Sequence, residues 1–245
     1  MEASPLGGVD KALLALDTLA GFGAAGAPLA TLAQAVGVSK PTLHRTLAAL
    51  RHRGYAEQTP DGAYRLGPAA LALGSTYLAE ENLPALLHPA LTALSEKTDE
   101  LVHLGVLAGR EVVYLDKVEP QRAVRVWSAV GRRRAAATTA LGRALLSVQE
   151  LDDAALARFA GEDARPERLR EALSEARTTG IAGETEENEP GIACIAVPLL
   201  RAGRAVAAVS ITAPAERLRG AARADRVAAL RNVLPALLPA GLTTR

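Results

Sequence analysis

Between residues 39 and 54 the chain carries four cations, Lys40, Arg45, Arg51 and Arg53, and no acid. Cations grouped on so short a segment can neutralise phosphate, and the planar fork of Arg45 matches the O6 and N7 acceptors of guanine. Thr42 and His44 add donors for phosphate oxygens or base edges. Catalytic chemistry is harder to find. Cys194 is the single cysteine and has no histidine near it in sequence. His44, His52, His88 and His103 show no metal-ligand spacing. Cys194 therefore reads as a small pocket or core residue, and His103, in an apolar run, as a hydrogen-bonded core histidine. Glu184, Glu186, Glu187 and Glu189 could hold a hard cation, but an acidic run of this kind reads first as a solvated loop. No triad, metal set or phosphate loop supports an enzyme, so no cofactor is expected.

The cationic segment has to be presented by a helix. Ser39 is a good N-cap, Pro41 is tolerated in the first turn, and Gly54 provides the stop. Leu43, Leu47 and Leu50 form an inward stripe, which leaves Pro41, His44, Arg45, Ala48 and His52 on the opposite face, flanked by Lys40 and Arg51. A helix packed by one face and cationic on the other is what the DNA major groove admits. Taken alone, it could equally be a solvated amphipathic helix. The flanking segments favour the first reading. Residues 30–36 form a shorter helix with Leu32, Ala33 and Val36 inward, Ala30 at its N-cap and a tight turn at Gly37-Val38. Residues 55–58 and 63–66 read as strands joined by Thr59-Pro60-Asp61-Gly62, and Arg65 on the second is placed to touch phosphate. This is a winged helix-turn-helix. Its candidate DNA contacts are Ser39, Lys40, Pro41, Thr42, His44, Arg45, Arg51 and Arg65.

A first helix is expected over residues 9–21, with Val9, Ala12, Leu13, Leu16, Leu19 and Ala20 inward. Residues 68–80 read as a linker helix and 84–97 as another. Strands follow at 101–107, 111–118 and 123–129. Helices are expected at 138–147, 152–160 and 166–179, strands at 195–200 and 205–212, and a closing helix over 222–238, interrupted near Pro235. Strands flanked by helices give an α+β second domain. The domains are expected at residues 1–67, 68–82 (the linker helix) and 83–245.

The chain has 245 residues, enough for two small domains. Its net charge is only +1, so cationic character is local and points to site-directed DNA contact, not general coating of nucleic acid. A lone cysteine, the lack of a signal-like N-terminus and the lack of an apolar stretch of about 18 residues all suggest a reducing cytoplasm and no membrane.

The run SKPTLHRTLAAL, RGY and YRLG, followed by LVHLGVLAGREVVYLDKVE, TTALGRALLS, EPGIACIAVPL and VAAVSITAP, resembles the isocitrate-lyase-regulator (IclR) family of bacterial transcription factors over about residues 8–240. The resemblance implies a GAF-like second domain that binds an effector and oligomerises, so the regulator would be a homodimer or a dimer of dimers on a near-palindromic operator. In the resembling family the first helix also packs against its mate in the dimer. The effector implied is a small molecule, expected to be a carboxylate, with repression as the default outcome. Site positions carry over one stretch at a time. The amides of Ala140 and Leu141 would receive a ligand carboxylate. Glu184, in the loop before the last two strands, takes the place of a pocket Asp, and Ile192 and Cys194 line the pocket. Ser210 and Thr212 match two hydroxyl residues that share a face, and Ala123 and Val126 match apolar wall positions. Arg134 departs from the family pattern, and so does Ala137. Pointing inward, Arg134 would bind an acid bidentately; pointing outward, it is a solvated loop cation. The alternatives are an effectorless DNA-binding protein whose second domain only oligomerises, and an enzyme domain with a DNA-targeting module.

Overall fold

The computed structural model describes residues 7–80, 82–122, 126–162 and 164–245, with the backbone alone for 76–80. The chain divides into two compact units, Met1–Asn82 and Leu83–Arg245.

In the first unit, α1 (Gly7–Phe22), α2 (Leu29–Val36) and α3 (Lys40–His52) close over Ala15, Leu19, Leu32, Ala33, Leu43 and Leu47. Gly37 ends α2 in the left-handed conformation, φ 73°, which lets the chain turn at once into α3. The wing is β1 (Ala56–Gln58) paired antiparallel with β2 (Tyr64–Leu66). Ala27 adds a rung on the other edge of β2 by exchanging both backbone hydrogen bonds with Tyr64, at 2.9 and 2.8 Å. A Cβ at Gly26 would lie 2.3 Å from the Tyr64 carbonyl oxygen, so that rung requires glycine. The unit ends in α4 (Ala69–Glu80), where Leu71 and Leu73 are exposed.

Two expectations need correction here. The inward face of α1 is centred on Ala15 and Leu19, while Val9 and Leu13 are 60% and 57% exposed. The helix carries more apolar positions than α2 and α3 can cover. The N-cap of α2 is Pro28, not Ala30, and no side chain caps it.

The second unit opens with α5 (Leu83–Thr98), β3 (Leu101–Ala108), β4 (Glu111–Val118) and β5 (Arg133–Ala135). Then come α6 (Ala140–Ser147), α7 (Asp153–Ala160), α8 (Pro166–Thr179), β6 (Ala182–Thr185), β7 (Ile192–Arg201) and β8 (Arg204–Pro214). The chain closes with α9 (Gly220–Asn232), α10 (Leu234–Leu237) and β9 (Thr243–Thr244). The strands form one antiparallel sheet in the order β5-β4-β3-β8-β7-β6, with β9 also on β7. Alternation along the strands gives it two different faces. Val102, Leu104, Ile195, Val209 and Ile211 pack under α5 and α9. Val112, Tyr114, Ala196 and Ala208 pack with α6, α7 and α8. Buried Glu100 accepts from Arg217 at 2.6 and 3.0 Å and from Arg226 at 3.4 Å, which ties the start of β3 to the segment around α9.

Of the strand expected at 123–129, Ala123 lies outside the described residues, and 126–129 are not in a strand. The third strand is β5, formed by the arginine run that reads locally as a loop. Glu184 stands on β6, not in a loop. Both β5 and β6 are short edge strands, four residues at most, and long-range pairing with β4 and β7 defines them.

Candidate functional site

The α3 face is built from its cap outward. The Ser39 Oγ accepts from the Thr42 N–H at 3.4 Å and lies 2.9 Å from the Thr42 hydroxyl, so both side chains serve the first turn. Burial of Leu43 and Leu47 fixes the rotation of the helix, leaving Lys40, Pro41, His44, Arg45, Ala48 and His52 exposed together. Arg51 donates to Gln58 at 3.1 Å, and the Gln58 amide donates to the Gly62 carbonyl at 3.1 Å. That pair of bonds couples the end of α3 to the tip of the wing. Arg65 is paired with Glu57 opposite it on β1, at 2.5 Å, so a carboxylate already partly answers its charge. The Asp61 carboxyl at the wing tip is held below its ordinary range by the Thr59 side chain and its own backbone N–H.

The second cluster lies on the α6 side of the large sheet. Cys194 Sγ is 3.2 Å from the Thr212 hydroxyl, which is 3.4 Å from His103 Nδ1. His103 Nε2 is 2.7 Å from the Ser128 hydroxyl, and its ring centroid lies 4.6 Å from that of Tyr114. Burial, with help from Lys117 and Arg132, pushes His103 down to about 3, so the imidazole is neutral and can donate from one nitrogen and accept at the other. Burial raises the Tyr114 hydroxyl, and burial with the neighbouring Glu184 charge raises the Cys194 thiol. The thiol stays protonated, which suits a polar wall and not a nucleophile.

Glu184 is buried, and its Oε2 accepts from the backbone N–H of Glu187 at 3.1 Å and of Asn188 at 3.5 Å, while Oε1 has no hydrogen-bond partner among the described residues and the Cys194 thiol is the polar neighbour of the carboxyl. Burial holds its carboxyl above the ordinary range, although those N–H groups favour the ionised form. Ser210 is buried one alternation from Thr212, opposite His103 on β3. Ile192 and Val126 are half-buried. Helix α6 is buried at every position, and Thr139 caps it by accepting from the Gly142 N–H at 3.2 Å. The N–H groups of Ala140 and Leu141 precede its first intrahelical bond. A small acid set against them would meet unpaired donors and the positive end of the helix.

No hydrogen bond links half-buried Arg134 to this cluster among the described residues: its guanidinium donates to the Arg133 carbonyl at 3.2 Å. Local sequence reasoning missed Tyr114, Ser128, Arg132 and Arg143. Arg143 is fully buried on α6 and donates to the carbonyls of Ala137 (2.8 Å) and Gly183 (2.9 Å) and to the carboxylate of Glu187. Its signal was available, since a lone arginine in the apolar run ALGRALL needs buried acceptors. Among the described residues, no three His, Cys, Asp or Glu side chains gather to hold a metal, and no helix is long and apolar enough to cross a membrane.

Comparison with known proteins agrees with both halves. Residues 8–60 match the family model described as the IclR helix-turn-helix domain, and residues 75–236 the model described as Bacterial transcriptional regulator IclR C-terminal. The chain is 35% identical over 228 residues to the HTH-type transcriptional regulator XynR of Escherichia coli K12, covering 89% of this chain and 90% of XynR. It is 34% identical to the HTH-type transcriptional regulator BhcR of Paracoccus denitrificans, covering 90% of this chain and 83% of BhcR. A crystal structure of a putative IclR transcriptional regulator from Silicibacter sp. TM1040 superposes with a TM-score of 0.73 at 26% identity, over 96% of this chain and 99% of that one.

Proposed function

The chain belongs to the IclR family of bacterial transcriptional regulators, which is not a family of enzymes, and from that premise we propose that it represses transcription under the control of a small anionic effector. Two α3 helices of a homodimer, or of a dimer of dimers, enter successive major grooves of a near-palindromic operator. The exposed, acid-free cationic face of α3, rotated outward by buried Leu43 and Leu47, carries this reading. The wing adds phosphate contacts that position the module without reading bases.

In the second unit, the α6 amides of Ala140 and Leu141 receive the effector carboxylate. Glu184, Cys194, Ser210 and Thr212 supply the polar wall, and Val126, Ile192 and the expected Ala123 the rest. That Oε1 of buried Glu184 has no hydrogen-bond partner among the described residues supports a ligand that donates a hydrogen bond there. The effector acts by binding one arrangement of the regulator more tightly than the other.

Selection of the full chain on randomised duplexes, followed by a salt-controlled gel-shift titration, tests the DNA reading. Enrichment of two related half-sites is expected; a pool that stays random contradicts it. Release of the selected duplex by a small acid, lost when Ser210 and Thr212 are replaced by Val with DNA binding intact, tests the effector reading. A response that survives the double replacement places the effector elsewhere.

A further inference from the structure

We propose that Arg132 is a second anion anchor of the effector pocket, so that the effector is a dicarboxylate and not a monocarboxylate. The proposal rests on the effector reading above, in which the α6 amides take the first carboxylate. Tyr114 donates its N–H to the Arg132 carbonyl at 3.0 Å and accepts at its own carbonyl from Gly131 at 2.7 Å. Gly131 has φ 82°, and this irregular rung sets Arg132 across from Tyr114 just before β5 begins. The Tyr114 ring packs against His103, and His103 is bonded to Ser128. The residue before Ser128 is Trp127, and the Arg132 guanidinium lies 5.1 Å from its ring centroid. Arg132 is thus attached to the polar cluster from two directions, through Tyr114 and through the segment of Trp127 and Ser128.

The neighbouring cations are already committed. Lys117 is held by Glu119 at 2.6 Å and by the Ser128 carbonyl at 2.5 Å. Arg133 is paired with Glu111 at 2.7 Å, and Arg134 donates to the chain. Among the described residues no carboxylate pairs with Arg132. Its charge nevertheless reaches inward: it adds to the burial that lowers His103 and partly opposes the burial that raises Tyr114. A half-buried guanidinium stacked on an indole still presents its N–H fork, the geometry that receives a carboxylate bidentately. Among the described residues the nearest interior groups, Tyr114, His103 and Ser128, are neutral, and the buried Arg143 is already held by Glu187. A ligand's second acidic group is the complement this arrangement lacks.

A charge-assisted contact of this kind should favour a diacid over the monoacid of equal length by about tenfold. The test is a thermal-shift titration of the full chain with matched pairs: butyrate and succinate, valerate and glutarate, 4-methylbenzoate and terephthalate. Arg132→Gln and Arg134→Gln run beside the wild type. In at least one pair the diacid is expected to half-saturate at about one tenth of the monoacid concentration. Arg132→Gln should remove that preference, and Arg134→Gln should keep it. Equal or tighter binding of the monoacid, or a diacid preference that survives Arg132→Gln, overturns the role of Arg132 and leaves the effector reading standing. No shift from any acid of the panel overturns both.

Discussion

Arg143, fully buried on α6, grips the carboxylate of Glu187 beyond the end of β6 with both terminal nitrogens, one of them at 3.0 Å. The same guanidinium satisfies the carbonyls of Ala137 and Gly183, so a single side chain joins the helix N-terminus to the strand that carries Glu184. Arg143→Met would leave two carbonyls without their donor and Glu187 with only Arg168, at 3.3 Å, and we expect a loss of about 2–4 kcal/mol in urea unfolding of the full chain. Arg143→Lys should recover only part of it, because an ammonium cannot reproduce the fork. A loss below about 1 kcal/mol for the methionine variant would show that the pair contributes little.

Glu184 and Glu187 respond to acid in opposite directions. Burial pushes Glu187 up, but the hydrogen bonds and charges of Arg143 and, to a smaller extent, Arg168 outweigh it, and its carboxyl titrates below the ordinary 4.5. Its stabilising contribution is present above its unfolded value and is lost as pH falls through the lower folded one. Glu184 is raised, so its contribution is complete below the unfolded value and is lost as pH rises through the folded one. Glu184→Gln, which keeps an acceptor for the Glu187 N–H, should therefore raise the melting temperature at pH 7.5. That gain should shrink as pH approaches 4. A gain that is constant across the range would contradict the assigned direction.

Arg45 lies in the middle of the exposed α3 face. Arg45→Ala should cost about 1–3 kcal/mol at the selected operator and relax the base preference at one position of each half-site. An unchanged ranking of operator variants would remove Arg45 from base readout.

Glu57 holds Arg65 at 2.5 Å on the wing. Glu57→Gln should free that guanidinium for phosphate, tightening binding to all duplexes alike and steepening the salt dependence by about one unit of slope. Arg65→Ala should do the reverse. If Glu57→Gln sharpens the preference among sequences instead, the pair takes part in base readout.

The sequence disclosed most where local chemistry determines local structure. Ser39 and Gly54 mark the limits of α3, and Pro166 and Gly180 those of α8, because caps and stops act within a turn. The α3 face was legible for the same reason, since Leu43 and Leu47 fix its rotation. Edge strands are defined by partners far away in the chain. Nothing within residues 182–185 indicates that β7 will receive them, so Glu184 read as a loop residue. The arginine run shows the limit most clearly. Three consecutive arginines look interchangeable, yet the turn at Gly131 sets Arg132 against Tyr114, Arg133 is exposed on Glu111, and the Arg134 guanidinium folds back on the Arg133 carbonyl. In α1, hydrophobic periodicity identified a helix but not its buried side, because Val9 and Leu13 are as apolar as Leu19.

Trp127 is the chain's single tryptophan, and a cation sits over its ring. Indole emission responds to nearby charge, so any acid that draws Arg132 away changes the light the protein emits. The second unit therefore contains its own optical reporter beside the polar cluster, while the sequence of the first unit holds tyrosines and no tryptophan. Excited at the red edge, where tyrosine does not absorb, the unlabelled protein would signal ligand arrival alone. A dye on the duplex would report DNA release in a separate channel, so that the order of the two events could be timed in a single mixing experiment.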